Sequence, residues 1–302
     1  MTYPRGKRTC MDPWGGAKDR PRPRVASVGA ADQSSGRQTS AGIRGFVLRV
    51  AMLLHVELLL RRTFVHLVYF APESLLPRSV AKSRSYDRKT IDIARRVLRD
   101  DSTWIDAGAN LGVISTKLQR AAPKGHGYAI EPIDFLAADL RSRLPGVSIW
   151  QVALGTDRST VELRVNRDNP AVSSVKVRPS IEAGHAVEVM TVEMMTLDDI
   201  VDPSHVVDFI KIDVENFELE VIRGSRRILS TNRPVVVFES TRALLPPIIE
   251  VFRSCGLVVM TVDAALAGIT AQDDELLKGD NGTGDYYFVA LDPERQQIRQ
   301  TK

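Results

Sequence analysis

With 302 residues, 43% of them hydrophobic and 26% charged, the chain holds enough apolar material for one full-sized domain and is marginal for two. Its net charge of +4 owes much to the N-terminal segment, where Arg5, Lys7, Arg8, Lys18, Arg20, Arg22, Arg24 and Arg37 face only Asp12, Asp19 and Asp32. The remainder has no dense Lys/Arg run interleaved with aromatics, which argues against nucleic acid as a partner. The two cysteines, Cys10 and Cys255, make neither a disulfide framework nor a zinc site and fit a reducing, cytoplasmic setting.

Residues 1–42 are rich in Pro, Gly, Ser and Arg without apolar periodicity, and their composition predicts a disordered basic tail. Residues 43–79 form an apolar N-terminal segment, read as a long helix through Phe70. Arg49, Glu57, Arg61 and Arg62 break it into short uncharged runs, so it is not a clean bilayer span. The long polar tail before it argues against a signal peptide. Two readings stand side by side. It docks on the domain or on a second subunit, giving a homo-oligomer, or it lies in a membrane interface and makes peripheral contact through 43–70.

A regular pattern runs through residues 80–292, ahead of a short C-terminal tail at 293–302. Thr90–Leu98 reads as a helix. Short β-branched runs then alternate with helical stretches: Thr103–Ala107, Gly127–Ile130, Val147–Val152, Val206–Ile212, Val235–Phe238, Leu257–Val262 and Tyr286–Leu291. Such runs are buried strands of a mostly parallel sheet with helices on both faces, a doubly wound α/β fold. Val187–Glu193 alternates with period two, as a half-exposed strand does.

The sharpest local feature is Trp104-Ile-Asp-Ala-Gly-Ala-Asn-Leu-Gly-Val-Ile114, a strand entering a glycine turn and then a helix. Gly108 admits a backbone conformation closed to other residues, and Gly112 allows close packing. A dinucleotide fingerprint needs G-x-G-x-x-G. Here Asn110 replaces its second glycine and Val113 follows where the third would fall, which compromises a pyrophosphate site. S-adenosylmethionine has no phosphate, and the acidic Asp106 suits so cationic a ligand. Glu131, ending the next strand before Pro132, is spaced to accept hydrogen bonds from ribose hydroxyls, although it could instead cap the following helix. The third strand is expected to end at Gln151-Val-Ala-Leu-Gly155, with the backbone of Ala153 and Leu154 beside an adenine.

On the fourth strand Lys211, Asp213 and Glu215 alternate with Ile212 and Val214, so three charges are expected to project similarly from the strand end. The alternative for Lys211 is an internal salt bridge. Glu239, ending the fifth strand, adds a carboxylate to the same edge. Thr196 with Asp199 reads as a helix cap. The link Asn166–Ala186, with Ser173, Ser174, Arg178 and His185, is the expected acceptor side.

Taken in order, Asp106-Ala-Gly-Ala-Asn-Leu-Gly112, Glu131-Pro132, Ala153-Leu-Gly155, Thr196-Leu-Asp-Asp199, Lys211-Ile-Asp-Val-Glu215 with Glu218, Arg233-Pro234 and Glu239 resemble the FkbM-type methyltransferase family. The resemblance runs from about Ser85 to Leu291. It implies a class I methyltransferase sheet, Rossmann-like and mostly parallel with an antiparallel last strand. It also implies S-adenosylmethionine as donor and an oxygen acceptor on a sugar, glycolipid or polyketide. The cofactor-binding residues are then Asp106, Gly108, Asn110, Gly112, Glu131, Ala153 and Leu154; the candidates for catalysis are Asp213, Glu215, Glu239 and Lys211. The same carboxylates could hold a hard divalent cation, though no metal site is indicated. Where the family has glycine this chain has Asn216, which predicts a left-handed turn there. The competing functions are a nicotinamide-dependent oxidoreductase, disfavoured by the broken fingerprint, and a non-catalytic binding protein that retains the fold, disfavoured by the intact glycine turn and acids.

Overall fold

The computed structural model describes residues 78–166, 187–268 and 285–295, together with Ala71, Leu75, Ser173 and Val175. The tail 1–42, the apolar stretch 43–70, Ser174, Arg178 and His185 of the expected acceptor link, and most of the C-terminal tail lie outside the described residues.

In chain order the strands are β1 (Thr103–Ala107), β2 (Gly127–Ile130), β3 (Val147–Trp150), β4 (Ala153–Leu154), β5 (Ser159–Asn166), β6 (Val187–Met195), β7 (Val207–Ile212), β8 (Val235–Thr241), β9 (Val258–Thr261) and β10 (Asp285–Leu291). The helices are α1 (Arg78–Val97), α2 (Val113–Ala121), α3 (Asp134–Arg143), α4 (Leu197–Ile200), α5 (Glu218–Arg223), α6 (Arg226–Asn232), α7 (Leu245–Ser254) and α8 (Val262–Ala267).

Seven strands form the main sheet in the order β3-β2-β1-β7-β8-β10-β9. The five from β3 to β8 run parallel, and β10 is antiparallel to both neighbours. The chain builds outward from β1 to β3, then returns to lay β7 on β1's other side. That reversal opens a crevice at the carboxyl edge between β1 and β7, where doubly wound sheets bind ligands.

Both faces of the sheet are covered, which is why its strands read as continuous apolar runs. Ile105, Ile210, Ile212, Val236 and Phe238 pack with Leu219, Ile222, Ile228 and Phe252 of α5, α6 and α7. The alternate residues Trp104, Phe209, Val235, Val237 and Val289 pack with Ile93, Ile114, Leu118, Leu140 and Ala265 of α1, α2, α3 and α8. Burying each large apolar side chain is worth about 1.5–3 kcal/mol, so this two-sided core holds the carboxyl edge in place.

Three local expectations are corrected. The first helix begins at Arg78, not Thr90. Its early turns lack an apolar stripe and are fixed by tertiary contacts: Arg84 donates to the Ala71 carbonyl and Lys89 pairs with Asp263 at 2.7 Å. The third strand stops at Trp150. Ala153 and Leu154 instead pair with Met194 and Met195 in a second sheet of order β4-β6-β5. The strand β5 itself was not expected, though Val161, Leu163 and Val165 alternate with polar residues as an edge strand requires. Among the described residues no helix is long and apolar enough to cross a membrane.

Candidate active site

The loop after β1 is shaped by backbone. Gly108, Asn110 and Gly112 have φ of 79°, 47° and 72°, all left-handed. The N–H groups of Gly108 and Ala109 both donate to the Ile130 carbonyl at 3.0 Å, tying the loop to the end of β2. A Cβ on Gly108 would stand 1.9 Å from the Asp213 carbonyl oxygen, so only glycine lets this loop lie against the end of β7. At Gly112 the close neighbour is Leu140 of α3, 2.4 Å from where a Cβ would be, rather than a strand.

Asp106 is fully buried beneath this loop. Ser115 donates to its Oδ2, and the Lys211 ammonium stands 3.3 Å from Oδ1. Lys211 also donates to the Gly108 carbonyl at 2.8 Å and lies 3.5 Å from Asp213 Oδ2. Burial works against the lysine's charge, but Asp213 and Asp106 outweigh it and hold its pKa above the ordinary value. Lys211 is therefore a cross-brace between β1, β7 and the glycine loop, the internal salt bridge that was its alternative reading.

Glu131 makes the contact ahead of the following helix that was its alternative reading, and it also holds the glycine loop. Oε2 accepts the Asn110 N–H at 2.8 Å, and Oε1 accepts the Ile133 N–H at 3.0 Å just before α3. Burial pushes its pKa up to about 7, against the opposing pull of those two backbone donors.

On the other side of the crevice the alternation of Lys211, Asp213 and Glu215 does not persist. β7 ends at Ile212, and Glu215 and Asn216 turn left-handed with φ of 54° and 70°. The three charges thus do not form one row along a strand; Asp213 alone continues from the strand end. Asn216 adopts the expected turn. Glu218 holds it: Oε1 accepts N–H groups from Val214 at 3.3 Å and Asn216 at 3.0 Å. Burial raises the Glu218 carboxyl to about 7.

Glu239 lies near the end of β8, next to β7 in the sheet, with its carboxylate bonded to the Tyr287 hydroxyl at 3.2 Å. Tyr287 comes from the antiparallel β10 and stacks on Tyr86 of α1, ring centroids 4.3 Å apart. Sequence reasoning missed both tyrosines. Tyr86 lies in the part of α1 that shows no periodicity, and Tyr287 sits in an apolar run that reads as core. Thr196 caps α4 by accepting the Asp199 N–H at 3.0 Å, and Asp198 accepts N–H groups of Arg227 and Ile228 at the start of α6, a structural role. Among the described residues no cluster of three His, Cys, Asp or Glu side chains could hold a metal ion.

A family model described as the methyltransferase FkbM domain matches residues 106–259, just over half of the chain. The chain belongs to the FkbM methyltransferase family. That family is S-adenosylmethionine-dependent, and the mostly parallel sheet with an antiparallel last strand that the resemblance implies is the one observed here. The matched stretch runs from Asp106 at the end of β1 to Val259 in β9, so it leaves out α1 and β10 and with them both tyrosines. Similar solved structures include the methyltransferase FkbM from Methylobacillus flagellatus KT, 17% identical, covering 64% of this chain and 45% of that one, with a TM-score of 0.40. Precorrin-6y C5,15-methyltransferase from Geobacter metallireducens GS-15 is 17% identical over 69% of this chain and 89% of its own, with a TM-score of 0.38. TYW2 from M. jannaschii, solved with AdoMet, is 10% identical over 68% and 73%, with a TM-score of 0.36. This FkbM family member thus spans less than half of the Methylobacillus chain that it matches. No curated protein matches it significantly.

Proposed function

We propose that this protein transfers a methyl group from S-adenosylmethionine to a hydroxyl oxygen of a sugar, glycolipid or polyketide-type acceptor. The observation that carries the reading is the placement of Asp213 and Glu239 at the carboxyl ends of the adjacent parallel strands β7 and β8, on the edge where the Gly108 loop packs against Asp213. The residues present fit a nucleoside donor. The loop from Gly108 to Gly112 offers backbone rather than side chains. Glu131 keeps acceptor capacity for ribose hydroxyls, since a carboxylate has about four lone-pair sites and two are taken. Ala153 and Leu154 border the adenine in this reading.

The bound donor supplies a methyl group already activated on a sulfonium. The chain must align the acceptor oxygen, worth up to about 7–11 kcal/mol, and accept its proton, worth roughly 10²–10⁴-fold. Glu239 is the base that takes the hydroxyl proton as the new oxygen–methyl bond forms. Asp213, half-buried beside Lys211, accepts a hydrogen bond from an acceptor hydroxyl and orients it. Lys211 and Asp106 hold the geometry from below. The protein is cytoplasmic in this reading, with peripheral membrane contact through 43–70 where the acceptor is a glycolipid.

Titration calorimetry should show binding of S-adenosylmethionine or its demethylated product and none of NAD. Incubation with methyl-labelled donor and with polar and lipid extracts should give a labelled methyl ether. Label recovered only on nitrogen or carbon, or tight NAD binding with no response to the methyl-cycle nucleotides, overturns the reading.

A further inference from the structure

Tyr287 has an arrangement that packing alone does not require. It stands directly opposite Glu239 in the β8–β10 register, and its hydroxyl reaches Glu239 Oε2 at 3.2 Å. Its ring lies on Tyr86 at an interplanar angle of 23°, and the Lys89 ammonium, itself paired with Asp263, sits 5.5 Å over the Tyr86 ring. Three elements therefore fix where the hydroxyl points: β10 carries it, α1 braces its ring, and α8 anchors the brace. Stacking of the two rings favours one orientation of the Tyr287 ring. Burial, together with the charges of Asp213, Glu239 and Asp87, raises the phenol's pKa. The group keeps its proton and remains a donor toward the carboxylate.

We propose that Tyr287 is a positioning residue for methyl transfer, orienting the Glu239 carboxylate toward the acceptor hydroxyl, with Tyr86 holding the tyrosine ring in place. The proposal rests on reading Glu239 as the group that takes the acceptor's proton. A glutamate side chain has three rotatable bonds, and a fixed donor on Oε2 restricts them before the acceptor arrives.

Tyr287→Phe keeps the stack and deletes the hydroxyl. Turnover is measured with methyl-labelled S-adenosylmethionine and the extract fraction that wild-type enzyme labels. The expected result is a kcat about tenfold lower, at the modest end of what a base supplies, with donor KM and melting temperature unchanged. Tyr287→Phe combined with Glu239→Gln should be no slower than Glu239→Gln alone. An additive loss in the double variant overturns the proposal. Full turnover in Glu239→Gln instead overturns the underlying assignment of the base. Impaired Glu239→Gln beside an unaffected Tyr287→Phe removes Tyr287 alone.

Discussion

On the β1–β2 side of the carboxyl edge, shape comes from backbone: three left-handed residues, two N–H groups shared by the Ile130 carbonyl, and a glycine lying against the Asp213 carbonyl. On the β7–β8–β10 side it comes from side chains that meet from distant segments, with Asp213 just past the end of β7, Glu239 and Tyr287 on β8 and β10, and Tyr86 on a helix. The two constructions fail differently. A backbone-built loop tolerates almost no new atoms, because its neighbours are themselves main chain. A side-chain constellation can lose a functional group while the fold persists. Substitutions on the first side should act on folding and donor binding together, and those on the second on turnover alone.

The sharpest test of that contrast is Gly108→Val. Its Cβ would stand 1.9 Å from the Asp213 carbonyl oxygen, at a φ of 79° that β-branched residues avoid. Backbone strain costs about 1–3 kcal/mol, and overpacking against main chain about 1–3 kcal/mol more. We expect loss of several kcal/mol of stability and no measurable donor binding, read by denaturant unfolding and calorimetry. A stable variant that still binds the donor would show that the loop can move away from β7.

Next in size, Asp213→Asn and Glu239→Gln should each cut turnover at least about tenfold, the low end for a base or orienting ligand. Donor affinity and melting temperature should change little. Full turnover in both would make these acids structural and dissolve the contrast. Dependence of the wild type on an added divalent cation, or loss under a chelator, would replace direct proton removal by a metal-assisted route.

The same contrast decides what could be read from the sequence. The β1–β2 side spans one continuous stretch from Asp106 to Glu131, and glycine spacing encodes its backbone shape directly. The mostly parallel sheet followed from apolar runs buried on both faces. The β7–β8–β10 side is different. Its members are separated by as much of the chain as lies between Tyr86 and Tyr287, and neither tyrosine carries a local signal. The charge alternation at 211–215 misled because period two holds only while a strand continues, and β7 ends at Ile212. Asn216 was legible because few residues other than glycine tolerate its conformation. Asn216→Gly should be nearly neutral, and Asn216→Val should cost about 1–3 kcal/mol by strain, seen as a lower denaturation midpoint. Equal tolerance of both would show the turn to be ordinary.

The smallest expected effects compare one buried carboxylate from each side. Glu131 and Glu218 are both raised to about 7, burial being the larger cause in each, from an ordinary 4.5. Between those values the folded protein keeps protons that the unfolded chain has released. Each group's contribution is therefore full below about pH 4.5 and is lost as pH rises through about 7. Charging either costs on the order of 3–4 kcal/mol by this linkage. Both Glu131→Gln and Glu218→Gln remove the charge; glutamine at 218 retains the oxygen that both backbone donors share, whereas at 131 it keeps an oxygen for only one of the Asn110 and Ile133 N–H groups. Each should flatten the fall in stability between pH 5 and 8, followed by denaturant titration at fixed temperature. Their effects on the donor should separate. The ionised Glu131 is the better acceptor for ribose hydroxyls, by about 1.5–3 kcal/mol for a charge-assisted bond against 0.5–1.5 for a neutral one. Wild-type affinity for S-adenosylmethionine should then rise several-fold from pH 6 to 8, and Glu131→Gln should abolish that rise. Glu218→Gln should leave it intact, because its carboxylate clamps the turn at Val214 and Asn216. A donor affinity that stays level across this range in the wild type would mean that Glu131 holds the glycine loop to α3 and does not touch the ribose.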